Sequence, residues 1–178
     1  MGPTLETERL ILRPPREEDL GGWAELMGDE EASRFSGGPL ARPAAWRGMA
    51  TMAGSWTLKG FGMFSVIDKA SGRWLGRVGP WQPEGWPGTE VGWGLLRSEW
   101  GKGYAQESAT AAIDWAFAAL GWSEVIHIIA LDNVPSQALA RRLGAANVGP
   151  TGMPPPFETI EVDMWRQSRE DWKARGRS

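Results

Sequence analysis

The chain has 178 residues, of which 42% are hydrophobic and 23% are charged, as in one ordinary globular domain. A net charge of -3 offers no general attraction for nucleic-acid backbones, and no apolar run reaches the roughly 18 residues that span a bilayer. The lack of cysteine excludes disulfides and thiolate sites, and a single histidine argues against a metal centre. The opening residues lack a secretory signal. We therefore expect a cytoplasmic, single-domain protein over residues 1–178, with no nucleic-acid, membrane or metal partner.

The first elements predicted along the chain are a short strand and two helices. Residues 10–12 are apolar, and two prolines follow Arg13, which predicts a strand over residues 10–13 that ends in a turn. Apolar residues recur at helical spacing over residues 20–27, and Gly28 is a natural stop. A second helix is predicted from residue 43 to about residue 53.

Three strand-like runs then follow one another. Residues 61–68 and 74–81 are separated by a short polar link that contains glycine, which predicts a β-hairpin. Residues 82–88 hold two prolines and two glycines and lead into a third run at residues 90–96. The pattern predicts three consecutive antiparallel strands.

The second half alternates helices with strands. Alanines and spaced apolar residues predict a helix over residues 106–120, and residues 125–131 form a nearly continuous apolar strand of the kind buried on both faces. A helix over residues 135–143, a last strand over residues 158–165 and a charged helical or frayed tail from residue 166 complete the prediction. The fold class is therefore α+β, built on a mixed sheet.

The most informative segment is the strand, glycine turn and helix between residues 90 and 108. Gly101 and Gly103 allow backbone N–H groups to converge on an anion, and the helix N-terminus adds its positive dipole end. A nucleotide-triphosphatase loop would need lysine and then serine or threonine after the last glycine, where Tyr104 stands, and a dinucleotide fold would need an early βαβ unit. The turn predicts a phosphate or pyrophosphate ligand, the alternative being an ordinary loop before a helix.

Three motifs in order carry a resemblance to a known family. The segment 100–105, Trp-Gly-Lys-Gly-Tyr-Ala, after Glu-Val-Gly-Trp-Gly-Leu-Leu, resembles the acetyl-CoA pyrophosphate loop of GNAT N-acetyltransferases. The opening 6–13, Glu-Thr-Glu-Arg-Leu-Ile-Leu-Arg, with Asp19, is similar to the ribosomal-protein alanine N-acetyltransferase (RimJ/RimL-like) branch. The third match is Asn-Val-Pro-Ser at 133–136, followed by Arg-Leu-Gly-Ala at 142–145. The resemblance extends from about residue 5 to about residue 172.

The resemblance implies a GNAT fold and an acetyl transfer. The sheet would be mostly antiparallel, flanked by helices and splayed between its fourth and fifth strands, residues 90–97 and 125–131, with acetyl-CoA in that cleft. The reaction implied is direct transfer from the thioester to a primary amine, either a protein N-terminus or a small molecule, in a ternary complex. A chain without cysteine cannot form an acetyl-cysteine intermediate. The alternative is a non-catalytic acyl-CoA-binding regulatory module. The partners would be acetyl-CoA and an amine acceptor, and the protein would be a monomer or a homodimer.

The resemblance also assigns cofactor-binding residues. The pantetheine arm would pair with the backbone of Leu95, Leu96 and Arg97. The pyrophosphate would be held by the amides of Gly101, Lys102, Gly103, Tyr104 and Ala105. Asn133 would bond the pantetheine amides and Ser136 would contact the cofactor, although both residues are also favoured caps for the helix that follows.

The catalytic assignments rest on fewer residues. Glu90 begins the strand that leads into the glycine turn and is the candidate general base, unless it is a solvated strand-end carboxylate. Many family members carry a tyrosine acid where this chain has Ala140, so the resemblance supplies no tyrosine acid here. Ser136 is the candidate donor to the CoA thiolate. Phe35 and Ser36 are the candidate substrate-binding residues. His127, the one histidine, is expected to be a buried core imidazole.

Overall fold

A single mixed sheet organises the structure, a computed structural model that describes residues 2–176. Its strands are β1 (Leu5–Glu6), β2 (Leu10–Arg13), β3 (Phe64–Asp68), β4 (Trp74–Trp81), β5 (Glu90–Leu95), β6 (Glu124–Ala130), β7 (Ala146–Thr151) and β8 (Val162–Ser168). Their order across the sheet is β1-β2-β3-β4-β5-β6-β8-β7. The paired strands are antiparallel except β5 and β6, which are parallel and share the single register pair Glu90 and Ile126. The predicted α+β fold with a splayed, mostly antiparallel sheet is confirmed. The splay lies between β5 and β6 because the short β1 precedes the predicted strands.

Helices cover both faces of this sheet. They are α1 (Leu20–Gly28), α2 (Glu30–Ser33), α3 (Arg42–Lys59), α4 (Tyr104–Ala119), α5 (Val134–Leu143) and α6 (Arg169–Arg175). Strand register places Val78 and Trp81 on opposite faces of β4. Val78 belongs to the core under α4, whereas Trp81 packs with the methionine-rich cluster of α1 and α3. In residues 2–176, no helix is long and apolar enough to cross a membrane.

A buried ion pair joins the start of the chain to α1. The two guanidinium Nη atoms of Arg13 each lie 2.8 Å from an oxygen of Asp19, which also accepts a 2.7 Å hydrogen bond from Ser65 Oγ. Asp19 is 3% exposed, so both charges are satisfied inside the protein. The motif that opened the chain therefore has a structural role here, because it ties β2 and β3 to the first helix.

The largest errors of the sequence prediction lie in the last third of the chain. β7 was not predicted, because it is an exposed edge strand interrupted at Gly149, where φ is 104°. An edge position also tolerates Pro150, which lacks a backbone donor. The predicted last strand, residues 158–165, was placed too early, since the observed strand is Val162–Ser168. The predicted second helix was too short, and α3 continues to Lys59 despite its internal glycines.

Candidate active site

The cleft begins where β5 and β6 separate. Ile126 N–H donates to Thr89 C=O at 3.0 Å, as in a parallel ladder. The next rung would join Ile128 N–H to the C=O of Val91. Instead, Ile128 N–H donates to the carboxylate of Glu90 at 3.1 Å. The cleft therefore opens at Glu90.

The other half of the missing rung is satisfied by His127. Its Nδ1 lies 2.7 Å from the C=O of Val91, so Nδ1 carries the hydrogen, since a carbonyl can only accept. His127 is 1% exposed, and burial lowers its pKa to about 4, which keeps the ring neutral. The predicted buried imidazole is confirmed. Its position at the splay, with Trp93 packed against it at 4.7 Å between ring centroids, was not predicted.

Glu90 is a buried carboxyl group at the apex of the cleft. It is 6% exposed and accepts a 2.6 Å hydrogen bond from Trp86 Nε1, in the loop between β4 and β5. Burial raises its pKa to about 7, against the opposing effects of the hydrogen bonds from Ile128 and Trp86 and of the charge of Arg77. The solvated-carboxylate alternative is therefore wrong, because Trp86 folds over the group. A carboxyl group with this pKa can accept a proton near neutral pH.

The glycine turn lies at the other end of β5. Gly101 and Gly103 have φ of 75° and 83°, a left-handed conformation that other residues rarely adopt. Gly103 is the N-cap of α4, whose first N–H groups have no partner within the helix. A Cβ at Gly101 would meet no atom within 4 Å, whereas one at Gly103 would lie 3.3 Å from Arg9. Backbone conformation therefore explains Gly101, and both conformation and crowding explain Gly103.

A clamp that sequence reasoning missed fixes this turn. Arg9 donates to Lys102 C=O at 3.0 Å, pairs with Glu107 at 2.7 Å and lies 4.4 Å above the ring of Tyr104. Glu107 also accepts a 2.6 Å hydrogen bond from Thr7. The available signal was weak, because Arg9 is 98 residues from Glu107 along the chain. The opening motif thus supports the turn from outside the cleft.

The three residues expected to pair with pantetheine differ in their backbone partners. The C=O of Leu95 accepts a 3.0 Å hydrogen bond from Trp100 Nε1. Leu96 N–H donates to Leu75 C=O at 2.9 Å, on the β4 side, and its C=O accepts from Glu99 N–H. The alternation of an antiparallel pair therefore directs Leu95 toward the cleft and Leu96 away from it.

Asn133 and Ser136 lie at the start of α5. Asn133 Oδ1 accepts a 3.2 Å hydrogen bond from Ser136 N–H, so Asn133 does cap the helix, as one alternative predicted. Its amide nitrogen remains a donor. Ser136 Oγ accepts from Trp93 Nε1 at 3.1 Å, which leaves its own hydrogen to donate.

Two cavities lie at the carboxyl ends of the separated strands. The larger, about 730 Å³, is lined by Arg34, Phe35, Gly37, Ala130, Leu131, Asp132, Thr159, Ile160 and Glu161. The smaller, about 330 Å³, is lined by Glu25, Leu26, Asp29, Leu96, Arg97 and Ser98. Phe35 therefore contributes to a cavity wall, whereas Ser36 is exposed and lies outside both linings. Arg97 is bound at 3.3 Å to Asp29, which joins the end of β5 to α2.

Comparison with known proteins agrees with this arrangement. A family described as acetyltransferase (GNAT) domain matches residues 9–146. The uncharacterised N-acetyltransferase p20 of Bacillus licheniformis is 30% identical over 149 residues, which are 82% of this chain and 84% of the relative. An acetyltransferase structure from Agrobacterium tumefaciens matches with a TM-score of 0.82 and 30% identity, covering 94% of this chain and 95% of that one. A ribosomal-protein-S5-alanine acetyltransferase from Vibrio fischeri, 18% identical, shares the fold with a TM-score of 0.70, over 96% of this chain and 98% of that one.

The chain belongs to the GNAT acetyltransferase family and is an acetyltransferase. Members of this family use acetyl-CoA as cosubstrate. The cleft between β5 and β6, from Glu90 to the glycine turn, is therefore the candidate site for acetyl-CoA.

Proposed function

We propose that this protein transfers an acetyl group from acetyl-CoA directly to a primary amine held in the same complex. The observation that carries the proposal is the buried Glu90, whose pKa is raised to about 7 where the cleft begins. A base must be partly deprotonated at the working pH and must lie where the amine attacks. Glu90 meets the first requirement, and its place at the cleft apex supports the second.

The residues present fit acetyl-CoA. The pyrophosphate would bind the amides of Gly101, Lys102, Gly103, Tyr104 and Ala105 at the N-terminus of α4, where unpaired N–H groups and the helix dipole favour an anion. The backbone of Leu95 and Arg97 and the side-chain amide of Asn133 would bond the pantetheine arm. Leu96 is left out of this set because its N–H and C=O are already used within the protein.

Two side chains would move the protons. Acetyl-CoA supplies the activated thioester. Glu90 would accept the proton that the amine loses as its nitrogen bonds the carbonyl carbon. Ser136 would pass its hydroxyl proton to the sulfur as the C–S bond breaks, and it would take a proton back from solvent water. Ser136 has that hydrogen to give because its oxygen, not its hydrogen, is used by Trp93. An α-amine, with a pKa of about 7.7 to 8.0, needs less help from Glu90 than a lysine side chain does.

The acceptor class is a separate part of the proposal. A protein N-terminus or a small-molecule amine would enter past Phe35 and Ser36, beside the larger cavity. The opening motif at residues 6–13 supports the ribosomal-protein N-acetyltransferase branch. The Vibrio fischeri ribosomal-protein-S5-alanine acetyltransferase shares the fold of this chain.

The experiment measures CoA release with a thiol reagent, and the protein contributes no thiol of its own. N-terminal peptides, amino acids, polyamines and amine antibiotics would serve as acceptors. Amine-dependent release that falls strongly in Glu90→Gln would support the proposal. Tight acetyl-CoA binding without release for any amine would favour the non-catalytic acyl-CoA-binding module.

A further inference from the structure

Arg77, in the middle of β4, is a partly buried cation with few polar neighbours. Among residues 2–176 it forms no ion pair, and its Nε is buried without any hydrogen-bond acceptor. One guanidinium Nη lies 3.6 Å from the sulfur of Met63, and the guanidinium carbon lies 5.4 Å from the centre of the Trp23 ring. Neither neighbour compensates a positive charge as a carboxylate would.

Trp23, whose ring lies next to the Arg77 guanidinium, also has a donor without a partner. Trp23 is 1% exposed, and its indole N–H also has no hydrogen-bond partner. Buried polar groups in native proteins nearly always have partners, so two unpartnered donors on side chains whose guanidinium carbon and indole ring centre lie 5.4 Å apart favour an oxygen acceptor at this place. Both groups donate only, and a carboxylate accepts from several donors at once.

Arg77 and Glu90 lie on the same face of the sheet. The register pairs Arg77 with Gly94 and Trp81 with Glu90, and the intervening residue of β5 on this face is Gly92. Gly94 has no side chain, and a Cβ there would lie 3.7 Å from Arg77 Nε. The guanidinium group therefore lies directly over the backbone of β5. Arg77 is also close enough to Glu90 for its charge to oppose the rise in the pKa of that carboxyl group.

This part of the face is reachable from solvent. Arg77, Trp81 and the two glycines are partly exposed, in contrast to the fully buried Val78 and Val91 beside them. The helices α1 and α3 therefore do not seal this stretch of the sheet. A small polar group can approach Arg77 from the side where Glu90 lies.

We propose that the guanidinium of Arg77 binds a carboxylate of the acceptor, so that the preferred acceptors carry a carboxylate close to the reacting amine. This inference rests on the proposed function for the amine, which Glu90 deprotonates, while Arg77 holds the carboxylate. The carboxylate comes either from a free amino acid or from an acidic residue at a peptide N-terminus. Both sources present the same group to Arg77.

The first experiment is a stability measurement that does not depend on turnover. Arg77→Met should raise Tm by on the order of 3 °C, because it removes an uncompensated charge from apolar neighbours. Free amino acids or peptides with an N-terminal glutamate should raise the Tm of the wild type but not of Arg77→Met. Arg47→Met, which removes an exposed arginine from α3, should change neither result. A lower Tm for Arg77→Met, or an equal ligand shift in both proteins, would overturn the proposal.

The second experiment compares matched acceptors by CoA release. Free amino acids are paired with their amides, and peptides beginning Glu-Ala or Ala-Glu with those beginning Gln-Ala or Ala-Gln. We expect wild type to prefer the carboxylate member of one pair type by about tenfold or more in kcat/KM, and Arg77→Met to reduce that ratio to near one. The pair type that responds identifies the source. A wild type that acetylates amines without this preference, or a variant that keeps it, would refute the carboxylate site alone. Absence of release for every amine would refute the proposed function, and the Tm experiment would still decide the role of Arg77.

Discussion

Glu90 combines a structural hydrogen bond with a raised pKa in one side chain. Its carboxylate takes the N–H of Ile128 that β5 leaves unpaired, and the same burial raises its pKa to about 7. The neutral imidazole of His127 satisfies the opposite carbonyl. A pair of side chains thus replaces one rung of the sheet, which allows the strands to separate without leaving buried backbone groups unsatisfied.

Replacing Glu90 with glutamine tests its chemical role. We expect wild-type kcat/KM to rise with pH through about 7, as Glu90 loses its proton. In Glu90→Gln, kcat/KM should fall by about 10²- to 10³-fold, and its rise near pH 7 should disappear. Acceptors whose amines differ in pKa distinguish the titration of Glu90 from that of the amine, because only the amine titration moves with the acceptor. Glu124→Gln, at a half-exposed carboxylate that begins β6, is the matched control. A profile unchanged in Glu90→Gln would show that another group is the base.

The same variant makes a prediction about stability. Burial raises the pKa of Glu90 to about 7, so the folded protein holds a proton that the unfolded chain releases above its ordinary pKa of 4.5. Stability from this group is therefore present at low pH and lost as pH rises to about 7. Relative to wild type, Glu90→Gln should gain roughly 2 to 3 kcal/mol in the free energy of unfolding between pH 4.5 and pH 8. Chemical denaturation at several pH values measures this, and a constant difference would contradict the raised pKa.

His127 contributes with the opposite sign. Burial lowers its pKa from the ordinary 6.5 to about 4, so the unfolded chain takes up a proton that the folded protein does not. Stability from the neutral ring is present above about 6.5 and is lost as pH falls toward 4. The contributions of Glu90 and His127 therefore largely cancel between pH 4.5 and 6.5 in wild type, which is why the difference between variant and wild type is the informative quantity.

At the scale of elements, the glycine turn and α4 form one unit held by Arg9. Gly103→Val should weaken acetyl-CoA binding by about tenfold or more, because valine is strained at a φ of 83° and its side chain would displace Arg9 from the turn. Isothermal titration would measure the change in Kd.

The other end of α4 offers a matched control. Gly121 has a φ of 71° and, like Gly103, adjoins the helix, but no atom lies within 4 Å of its would-be Cβ. Gly121→Val should lower stability through the same backbone strain and leave the acetyl-CoA Kd unchanged. Equal loss of affinity in both variants would mean that the turn acts only through the stability of α4.

Elements with strong local signals were predictable, and those set by distant contacts were not. The hairpin of β3 and β4, the strand β5 and the glycine turn follow from alternation and glycine placement within a few residues. β7 was missed because Gly149 and Pro150 disrupt its pattern, and only its edge position beside β8 tolerates them. The long α3 was cut short because internal glycines weaken its local preference, which packing of Met49 and Met52 overcomes.

The same division applies to the candidate site. Gly101 and Gly103 could be found because the turn needs them locally, and Glu90 because it begins the strand before that turn. The Arg9 clamp joins residues far apart in the chain, and the burial of Glu90 depends on how Trp86 folds back over it. Arg77 gave no signal at all, since its lack of a partner is a property of the packed sheet.

At the scale of the whole molecule, the sheet brings the candidate base Glu90, the glycine turn and two cavities to one cleft. The strands pair at Glu90 and are separate at Leu95 and Ala130, so a long ligand can lie between them, and the larger cavity adjoins Phe35 and Ala130. Because the chain has no cysteine, the acetyl group cannot be transferred first to a protein thiol. Transfer within a ternary complex is therefore the expected route.

Initial rates of CoA release, measured while acetyl-CoA and a carboxylate-bearing amine are varied together, test the central claim most directly. We predict release that requires the amine, intersecting double-reciprocal lines, and near-complete loss in Glu90→Gln with acetyl-CoA binding retained. Acetyl-CoA bound tightly with no release for any amine, or full turnover in Glu90→Gln, would contradict the account of Glu90 as the base of an amine acetyltransferase.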